Sequence, residues 1–313
     1  LGQLDPSLAT VEPSQTFASI QAEVGGWVQA VQSSIDVDLT GLHVVVDCAH
    51  GAASHVVAPA LADLGAQVTP MCNQPDGRNI NEACGSTYPQ SLAKAVVDAN
   101  ADIGLALDGD ADRLLAVDHR GTVVDGDQIM AMLALDMDQR GLLAGSQLVV
   151  TVMSNLGLLR SMDAAGISVE VTPVGDRNVL IALDRLGANL GGEQSGHLIF
   201  TDHGGTGDGL LSGVQLLGLL KRSGRTIRDL AASSMVVFPQ VLQNVRVTQP
   251  MPDIADRIAK EIDKAEAALG EQGRVLVRAS GTEPVIRVMV EASEQALAQQ
   301  TCDGLCAAVA ELV

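Results

Sequence analysis

Short apolar runs alternate with stretches of helix length from residue 42 onward. The runs at 42–48, 66–71 and 102–107 are largely apolar, and the stretches between them, from Ser54 to about Leu64 and at 88–100, predict helices. Buried apolar strands separated by helices are typical of parallel sheets covered on both faces. Because only 2% of the chain is aromatic, the core must consist of aliphatic side chains, which suits such sheets. The sequence therefore predicts an α/β fold.

A second run of the same kind follows, and its layout suggests an internal structural duplication. The last part differs, because its predicted order β-α-β-β-α indicates a small α+β domain with an antiparallel sheet. The predicted elements of the second run are a helix from about Gly126, a strand at 147–153, a helix at 156–165, a strand at 167–171, a helix from about Arg177, a strand at 198–200 and a helix near Asp208. Those of the last part are strands at 238–247, 274–278 and 285–290, a helix at 252–269 and a helix capped by Ser293.

The chain is too long for one ordinary core, since it has 313 residues. We expect two similar consecutive α/β domains with mixed sheets, followed by the small C-terminal α+β domain. The expected boundaries are an unplaced lead-in at 1–25, α/β domains at 26–126 and 127–240, and the last domain at 241–313. The first residue is Leu rather than Met, which suggests a piece of a longer chain.

Composition limits the classes of partner. Asp and Glu number 38 against 19 Lys and Arg, a formal net charge of −19. Such a chain is a poor ligand for nucleic acid or an anionic membrane, because the attraction to phosphate has the wrong sign. No apolar run reaches the length that spans a bilayer. Five scattered cysteines without a Cys-x-x-Cys pair are typical of reduced thiols in a cytoplasmic protein.

Three carboxylates follow the predicted strand 102–107 at alternating positions, namely Asp108, Asp110 and Asp112. Carboxylates repel one another, so three in one short turn imply a cation, and hard oxygen ligands favour Mg²⁺. A calcium EF-hand loop is excluded, because its sixth and twelfth places hold Arg113 and His119 rather than Gly and Glu. The alternative is a polar turn that joins two strands.

A compact set of anion-binding groups lies in the last part of the chain. Guanidinium groups, hydroxyls and a flexible glycine backbone together favour a phosphate-binding loop. The alternative is a β-hairpin turn with incidental arginines on the solvent face. In so acidic a chain, cations clustered at one turn favour the anion site. Its members are Arg278, Ser280, Gly281, Thr282 and Arg287.

The segment 192–197 (GEQSGH) brings a carboxylate, a hydroxyl and an imidazole into one glycine-containing loop. If it is extended, Glu193 and Ser195 project the same way, which suits the recognition of sugar hydroxyls. His197 is a candidate for bridging groups or donating protons, although a lone His after Gly is often a turn residue.

Three other polar residues are better explained by helix capping than by chemistry. Ser54 stands beside His55, but its place at a predicted helix start makes it an N-cap rather than a nucleophile. Asp125 and Asp127 are likewise expected to cap the helix that begins near Gly126.

Taken in order, these three motifs resemble those of the α-D-phosphohexomutases. Supporting segments are VDCAHGAA at 46–53, PDGRNIN at 75–81, CGST at 84–87 and TGDG at 206–209, so the resemblance runs from about residue 40 to the end. Gln194 and the sequence GTEP at 281–284 favour the glucosamine branch of the family. The resemblance implies a molecule of four domains around one cleft. It implies that Mg²⁺ is bound by Asp108, Asp110 and Asp112, with Arg113 beside them, and that the sugar is bound by Glu193, Ser195 and His197. It further implies that the distal phosphate is bound by Arg278, Ser280, Gly281, Thr282 and Arg287.

The implied reaction interconverts glucosamine 6-phosphate and glucosamine 1-phosphate through a phosphoserine and a 1,6-bisphosphate, toward UDP-N-acetylglucosamine and the cell wall. The family's phosphoserine lies in a Thr-Ala-Ser-His-Asn-like segment, and the 313 residues contain none. The sequence therefore predicts a fragment that is inactive alone, whose partners are a phosphorylated hexosamine and the missing N-terminal domain or a second copy.

Three alternatives stay open. The first is a serine-less sensor or partner subunit that binds phosphosugar and Mg²⁺. The second is phosphomannomutase or phosphoglucomutase specificity, and the third is a metal-dependent phosphatase or kinase with Asp108 as nucleophile.

Overall fold

A computed structural model describes residues 13–249, 251–280 and 283–312. Residues 1–12 of the lead-in expected at 1–25, together with Gly281 and Thr282, lie outside these ranges. The first helix, α1 (Pro13–Gln32), crosses the boundary expected between residues 25 and 26. None of the helices in the described ranges is both long and apolar enough to span a bilayer.

The first unit is a five-stranded mixed sheet, with strand order β2-β1-β3-β4-β5. The first three strands are parallel, and β4 and β5 continue the sheet in the antiparallel sense. The strand β3 is buried along its whole length, as its continuous apolar sequence predicts. The elements are β1 (His43–Asp47), α2 (Val57–Asp63), β2 (Gln67–Met71), α3 (Gln90–Asp98), β3 (Ile103–Leu107), β4 (Leu114–Asp118) and β5 (Val123–Val124).

The second unit is a four-stranded sheet of order β7-β6-β8-β9, with β6, β7 and β8 parallel and β9 antiparallel. This order repeats β2-β1-β3-β4, so the suspected duplication is present in the topology. The elements are α4 (Gly126–Gln139), β6 (Gln147–Thr151), α5 (Leu156–Ala165), β7 (Ser168–Thr172), α6 (Asp176–Leu186), β8 (Leu190–Gly192), β9 (Leu198–Phe200), α7 (Gly209–Ser223) and α8 (Ile227–Ser234).

The two sheets share one hydrophobic core. Buried side chains of β3 and β6, such as Leu105 and Leu148, belong to the same cluster as Leu217 of α7. Helix α7 follows the second sheet in sequence, yet it packs on α1 and on β4 of the first. A shared core means that the two units are stabilised together, and it holds their strand ends in a constant relation.

The C-terminal unit has a core of its own and an antiparallel sheet of order β10-β12-β11. One face of β12 packs Ile286, Val288 and Val290 against the apolar side of α11. The predicted order β-α-β-β-α and the fold class are thereby confirmed. The elements are β10 (Gln240–Arg246), α9 (Ile254–Arg257), α10 (Ala259–Leu269), β11 (Gly273–Ala279), β12 (Val285–Ala292) and α11 (Gln295–Ala310).

A buried polar joint connects this unit to the second one. The Glu291 carboxylate is fully buried and accepts the N–H of Leu156 at 2.9 Å and Nε–H of Arg274 at 2.6 Å. Nearby, the Asn155 side chain exchanges two hydrogen bonds with the backbone of Phe238, at 2.9 and 3.0 Å. Because each of these groups has a specific partner, the joint sets one orientation of the small sheet against α5.

Two predicted helix starts differ from the structure. Ser54 is not an N-cap, because it lies inside a short 3₁₀ turn, Ala52–His55, and its hydroxyl donates to the carbonyl of Gly51 at 2.7 Å. Ser293 does not cap α11 either. Its hydroxyl donates to Gln272 at 3.3 Å, and Glu294 holds the cap position without a side-chain bond.

The predictions for helix 252–269 and for the acids near Gly126 are partly wrong. The chain forms two helices there, α9 and α10, because the backbone at Ile258 leaves helical geometry. Asp125 caps α4 in a capping box with Gln128, as predicted. Asp127 is no cap, since it is buried within α4 and accepts the N–H of Asn155 at 2.7 Å.

Candidate functional site

The acidic turn, called here the metal loop (residues 108–113), connects β3 to β4 at the carboxyl end of β3. Asp108 Oδ1 accepts the backbone N–H of Arg113 at 3.2 Å, which closes the turn. The Arg113 Nε atom lies 3.9 Å from an Asp108 oxygen and 3.8 Å from an Asp112 oxygen. The carboxyl end of a parallel strand is where open α/β sheets place ligand groups.

The metal loop carries more negative charge than its own residues neutralise. Burial raises the pKa of Asp108, and the neighbouring Asp112 carboxylate raises it further, against a smaller opposing effect of Arg113. Asp112 Oδ1 is buried without a hydrogen-bond partner, and Asp110 is exposed to solvent. Unsatisfied carboxylate oxygens of this kind are suitable ligands for a hard cation such as Mg²⁺.

The sugar loop (residues 193–197) connects β8 to β9. It is a turn rather than the extended segment that the sequence suggested, and the turn brings Ser195 Oγ within 3.3 Å of Glu193 Oε2. Glu193 Oε1 accepts the N–H of Gly175 at 2.9 Å, so both of its oxygens have donors. Ser195 is exposed and borders a cleft of about 260 Å³, lined by Thr151, Met153, Val174, Glu193, Gln194 and Ser195.

His197 and the backbone join the two loops. The Leu114 N–H donates to the carbonyl of Gly196 at 3.0 Å. His197 Nδ1 lies 3.1 Å from Asp112 Oδ2, while its Nε2 accepts the N–H of Gly207 at 3.1 Å. Because Nε2 is the acceptor, the ring proton is on Nδ1 and is donated to Asp112. In this buried side chain, Nδ1 therefore links the two loops, and Nε2 bonds Gly207, just before α7.

Glycine is required where the loops meet. Gly196 has φ +93°, and a Cβ there would lie 2.2 Å from the carbonyl oxygen of Leu114. Such a contact is far inside van der Waals distance, so any side chain would separate the metal loop from the sugar loop. The loop sequence thus permits the close approach that the hydrogen bonds require.

The predicted phosphate-binding residues lie on the C-terminal sheet. Arg278 and Arg287 are directly opposite on β11 and β12, and burial together with the Arg287 charge lowers the pKa of Arg278. The Nε atoms of both arginines are buried without a hydrogen-bond partner. Arg287 also lies 3.4 Å from Glu283, and the Ser280 hydroxyl accepts the N–H of Glu283 at 3.3 Å. Two guanidinium groups directly opposite each other repel, and a dianion such as phosphate bound between them would offset this repulsion.

The arginine pair shares a sheet face with the polar joint. Side chains alternate along a strand, so Arg287 and Glu291 of β12 project to one face, roughly 13 Å apart. The Glu291 end of that face contacts the second unit, and Gln240 beside it accepts from Gln194 of the sugar loop at 3.3 Å. The two arginines therefore lie on the sheet face that contacts the second unit, at the end of the strands away from that contact.

Comparison with known proteins agrees with this order of units. Three family models match, each described as phosphoglucomutase/phosphomannomutase: α/β/α domain II over residues 26–121, α/β/α domain III over 125–238 and the C-terminal domain over 242–308. A phosphoglucosamine mutase of Leifsonia xyli subsp. xyli is 48% identical over 312 residues, which cover 99% of this chain and 68% of that protein. The chain belongs to the phosphohexomutase family.

Other members of the family are matched over a similar share. A phosphoglucosamine mutase of Clavibacter michiganensis subsp. michiganensis is 53% identical over 279 residues, 87% of this chain and 62% of that protein. The chain spans about three fifths of the length of the first curated relatives it matches.

Solved structures of the family share the fold. A phosphoglucomutase/phosphomannomutase family protein of Burkholderia thailandensis aligns with TM-score 0.73 at 24% identity, over 90% of this chain and 63% of that one. N-acetylphosphoglucosamine mutase of Aspergillus fumigatus, solved with GlcNAc-6P and magnesium, aligns with TM-score 0.70 at 21% identity, over 91% and 68%.

Some residues of the site in this family member were not singled out from the sequence. Gly175, in a charged turn that looks ordinary, donates to Glu193 across 18 positions. Gln240 and the pair of Arg274 and Glu291 position the C-terminal sheet, and nothing in their local sequence indicates it. Only the tertiary structure shows these contacts.

Proposed function

We propose that the chain forms the metal-, sugar- and phosphate-binding part of a phosphoglucosamine mutase, which interconverts glucosamine 6-phosphate and glucosamine 1-phosphate. The observation that carries the proposal is the bonded junction of the two loops, through Leu114 with Gly196 and through Asp112 with His197. The junction holds the acidic turn beside a turn that carries one carboxylate, one hydroxyl and one imidazole. Five free thiols suit the reducing cytosol in which such an enzyme works.

The sugar loop and the arginine pair would orient the substrate. Glu193 offers further lone pairs as an acceptor, and the Ser195 hydroxyl, which donates to Glu193 at 3.3 Å, would turn its O–H to an adjacent sugar hydroxyl instead. His197 holds Asp112 and thereby positions the metal loop. Arg278 and Arg287 would bind the phosphate that does not react, with Ser280, Gly281 and Thr282 completing the loop around it.

Asp108, Asp110 and Asp112 would hold Mg²⁺, with Arg113 beside them. When bound, the ion draws electron density from the transferring phosphoryl group and offsets its charge. Residues of this chain support the loop that would hold the ion. Arg113 partly neutralises two carboxylates, and the buried junction keeps the metal loop in one conformation.

The reaction needs a serine that carries the phosphoryl group. A phosphoserine passes its phosphoryl to the O1 hydroxyl of glucosamine 6-phosphate, which gives the 1,6-bisphosphate and a free serine. After the sugar turns over, the serine hydroxyl takes the 6-phosphoryl group, and glucosamine 1-phosphate leaves. None of the 313 residues lies in a Thr-Ala-Ser-His-Asn-like segment, so we propose that this polypeptide alone binds substrate but does not turn it over.

A coupled assay for glucosamine 1-phosphate tests this proposal. With Mg²⁺, glucosamine 6-phosphate and a trace of 1,6-bisphosphate, we expect no product from the chain alone. We expect product when a serine-bearing N-terminal domain of a relative is added. Turnover by the chain alone would contradict the need for an outside serine. A phosphoryl group found on Asp108 would favour a phosphatase or kinase instead.

Calorimetry separates the binding roles. Asp110→Ala should abolish Mg²⁺ binding, and Arg278→Ala should weaken glucosamine 6-phosphate binding by about 1.5–3 kcal/mol, the range for a charge-assisted hydrogen bond. Lys264→Ala removes an exposed cation from α10, which packs on the opposite face of the same sheet, so this control should leave both unchanged. Equal Mg²⁺ binding by Asp110→Ala would contradict the metal assignment. Tighter binding of mannose or glucose phosphate than of glucosamine 6-phosphate would contradict the sugar assignment.

A further inference from the structure

A cluster of softer ligands lies beside the metal loop. A ring nitrogen of His50 and the sulfurs of Cys72 and Cys84 are all within 4.8 Å of one another. In the part of the chain that the structure describes, no other three His, Cys, Asp or Glu side chains converge so closely. The three carboxylates of the metal loop are more widely spread.

The backbone brings these three residues together from separate segments. His50 follows β1, Cys72 follows β2, and Cys84 precedes α3, so the cluster forms at the carboxyl ends of parallel strands. The His50 N–H donates to the carbonyl of Cys72 at 2.6 Å. Asp47 connects the segment of His50 to that of Cys84, because its carboxylate accepts the N–H of Ala49 at 2.9 Å and of Gly85 at 2.8 Å. The three ligand groups are therefore held in place before any ion binds.

The donor set selects a class of ion. Two sulfurs and an imidazole suit zinc and similar borderline-soft cations, whereas Mg²⁺ and Ca²⁺ prefer oxygen. In a tetrahedral zinc site the sulfurs lie roughly 3.8 Å apart, so the cluster has to contract by about 1 Å at most. The buried Asp47 carboxylate contributes a negative field that favours a cation.

The thiols are protonated without a metal. Burial, Asp47 and Cys84 raise the pKa of Cys72 to about 12, and burial also raises the pKa of Cys84. A cation would displace both protons, so its affinity should increase with pH. Metal binding would also change a hydrogen bond of the His50 ring, whose Nδ1 accepts the N–H of Gln74 at 3.2 Å. Coordination by the ring replaces this weak bond, whichever nitrogen binds.

We propose that His50, Cys72 and Cys84 bind one Zn²⁺-class ion, with a fourth position open to solvent. His50 and Cys72 are half-buried, which leaves one side of the cluster accessible, while Cys84 is buried. The site is distinct from the metal loop and adjoins it. The N–H of Ala52 donates to the carbonyl of Gly109 at 2.9 Å, and that of Ser86 to the carbonyl of Leu107 at 2.8 Å.

Cobalt titration of the reduced, chelator-treated chain tests the proposal. Co²⁺ reports its ligands, because thiolate coordination gives a charge-transfer band that oxygen ligands do not. We expect this band to saturate at one equivalent, to disappear on addition of Zn²⁺ and to persist in excess Mg²⁺. Cobalt binding without the band, or a band that Mg²⁺ abolishes, would contradict the proposal, as would a Cys72–Cys84 disulfide that forms in place of metal binding.

Two variants and a matched control locate the ion. Cys72→Ser and His50→Asn should each weaken Co²⁺ binding at least ~10-fold, since loss of an outer partner alone costs ~10–100-fold. Asn is chosen because position 50 has φ +49°, which Asn tolerates. Cys306→Ser changes a half-buried cysteine of α11, beside Cys302 but with no histidine in the pair, and should leave binding unchanged.

Alkylation of the unmodified chain gives a readout that does not depend on the folding of a variant. Zn²⁺ should protect Cys72 from iodoacetamide at least ~10-fold, because a bound thiolate is a poor nucleophile, and should leave Cys306 unprotected. Equal labelling of Cys72 with and without Zn²⁺ would overturn the proposal.

Discussion

The two α/β units place their functional loops at the same position of the same topology. The strand order β2-β1-β3-β4 of the first recurs as β7-β6-β8-β9 in the second. In each unit the third strand is parallel to the first, the fourth returns antiparallel, and the loop between them carries the candidate site residues. The metal loop and the sugar loop are therefore equivalent elements of one duplicated framework.

The loops differ in how their oxygens are satisfied. Asp112 Oδ1 of the metal loop is buried without a partner, and burial with the neighbouring acid raises the pKa of Asp108. In the sugar loop, both carboxylate oxygens of Glu193 accept from groups of the protein itself. The unsatisfied acids of the first loop suit the cation proposed for it, whereas the polar groups of the second already have partners within the protein. A duplicated sheet supplies the position, and the loop residues determine the ligand.

The largest expected effect separates the loops. Gly196→Ala places a Cβ about 2.2 Å from the Leu114 carbonyl at φ +93°, and should lower the free energy of unfolding by about 4 kcal/mol. Gly166→Ala is the matched control, because Gly166 has φ +76° but no atom within 4 Å of its added Cβ, and should cost about 1 kcal/mol. Urea unfolding measures both. Equal losses would mean that the loop junction adds nothing to stability.

A smaller effect should follow from the side-chain bridge between the loops. His197→Ala removes two buried hydrogen bonds, to Asp112 and Gly207, and should cost about 2–3 kcal/mol. The variant should also weaken Mg²⁺ binding, because Asp112 is then free to move. His203→Ala changes an exposed histidine of the same unit and should cost less than about 0.5 kcal/mol. Unchanged Mg²⁺ affinity in His197→Ala would show that the metal loop holds its shape alone.

The units differ again in their buried acids. Asp47 of the first unit accepts two backbone N–H groups, whereas Asp127 of the second accepts one and has a second oxygen without a partner. Burial raises the pKa of Asp127 to about 7, and the Asp125 charge adds to the rise. The folded state therefore keeps this proton up to near pH 7, while the unfolded chain releases it near pH 4. Stability from this group is complete below about pH 4 and is lost as the pH rises to 7.

Asp127→Asn should remove that loss. We expect the variant to be more stable by about 2 kcal/mol at pH 8 and no more stable at pH 4, since the full shift corresponds to about 4 kcal/mol and the weaker bond to Asn155 offsets part of it. Asp63→Asn, an exposed acid at the end of α2, should change stability little at either pH. Thermal unfolding at the two pH values checks the prediction, and a gain of equal size at both would contradict it.

Periodicity predicted most elements, including β9 at 198–200, but it did not predict β4, β5 or β8. The helix at 156–165 has the predicted bounds, since its apolar spacing, the Asn155 cap and Gly166 all agree. The strand β8 contains two glycines and forms only because β6 and β9 pair with it. Local sequence carries no signal for such a strand, because its stability comes from neighbours that are distant in the chain.

The site shows the same limit. The types of residue that suit an ion, a sugar and a phosphate were visible in the sequence, since each motif concentrates one kind of chemistry. The bond between His197 and Asp112 spans 85 positions, and the role of Arg274 depends on Ser154 and Glu291 in two different units. Tertiary packing therefore determines which side chains contact one another, and the local sequence does not show it. His197 was considered both as a bridging group and as a proton donor, and in the structure its ring bridges to Asp112 of the metal loop.

The smallest expected effect on stability should separate structure from binding in the sugar loop. Ser195→Ala removes an exposed hydroxyl whose one bond, to Glu193, is 3.3 Å long, so the free energy of unfolding should change by less than about 0.5 kcal/mol. Glucosamine 6-phosphate binding should nevertheless weaken by about 1 kcal/mol, because the hydroxyl would donate to the sugar. Ser223→Ala, at the far end of α7, should alter neither quantity by more than about 0.5 kcal/mol. If Ser195→Ala lowers stability and leaves binding unchanged, the serine stabilises the turn and does not form a hydrogen bond with the ligand. The sugar loop would then depend on its own side chains for its shape, in contrast to the proposed dependence of the metal loop on a cation.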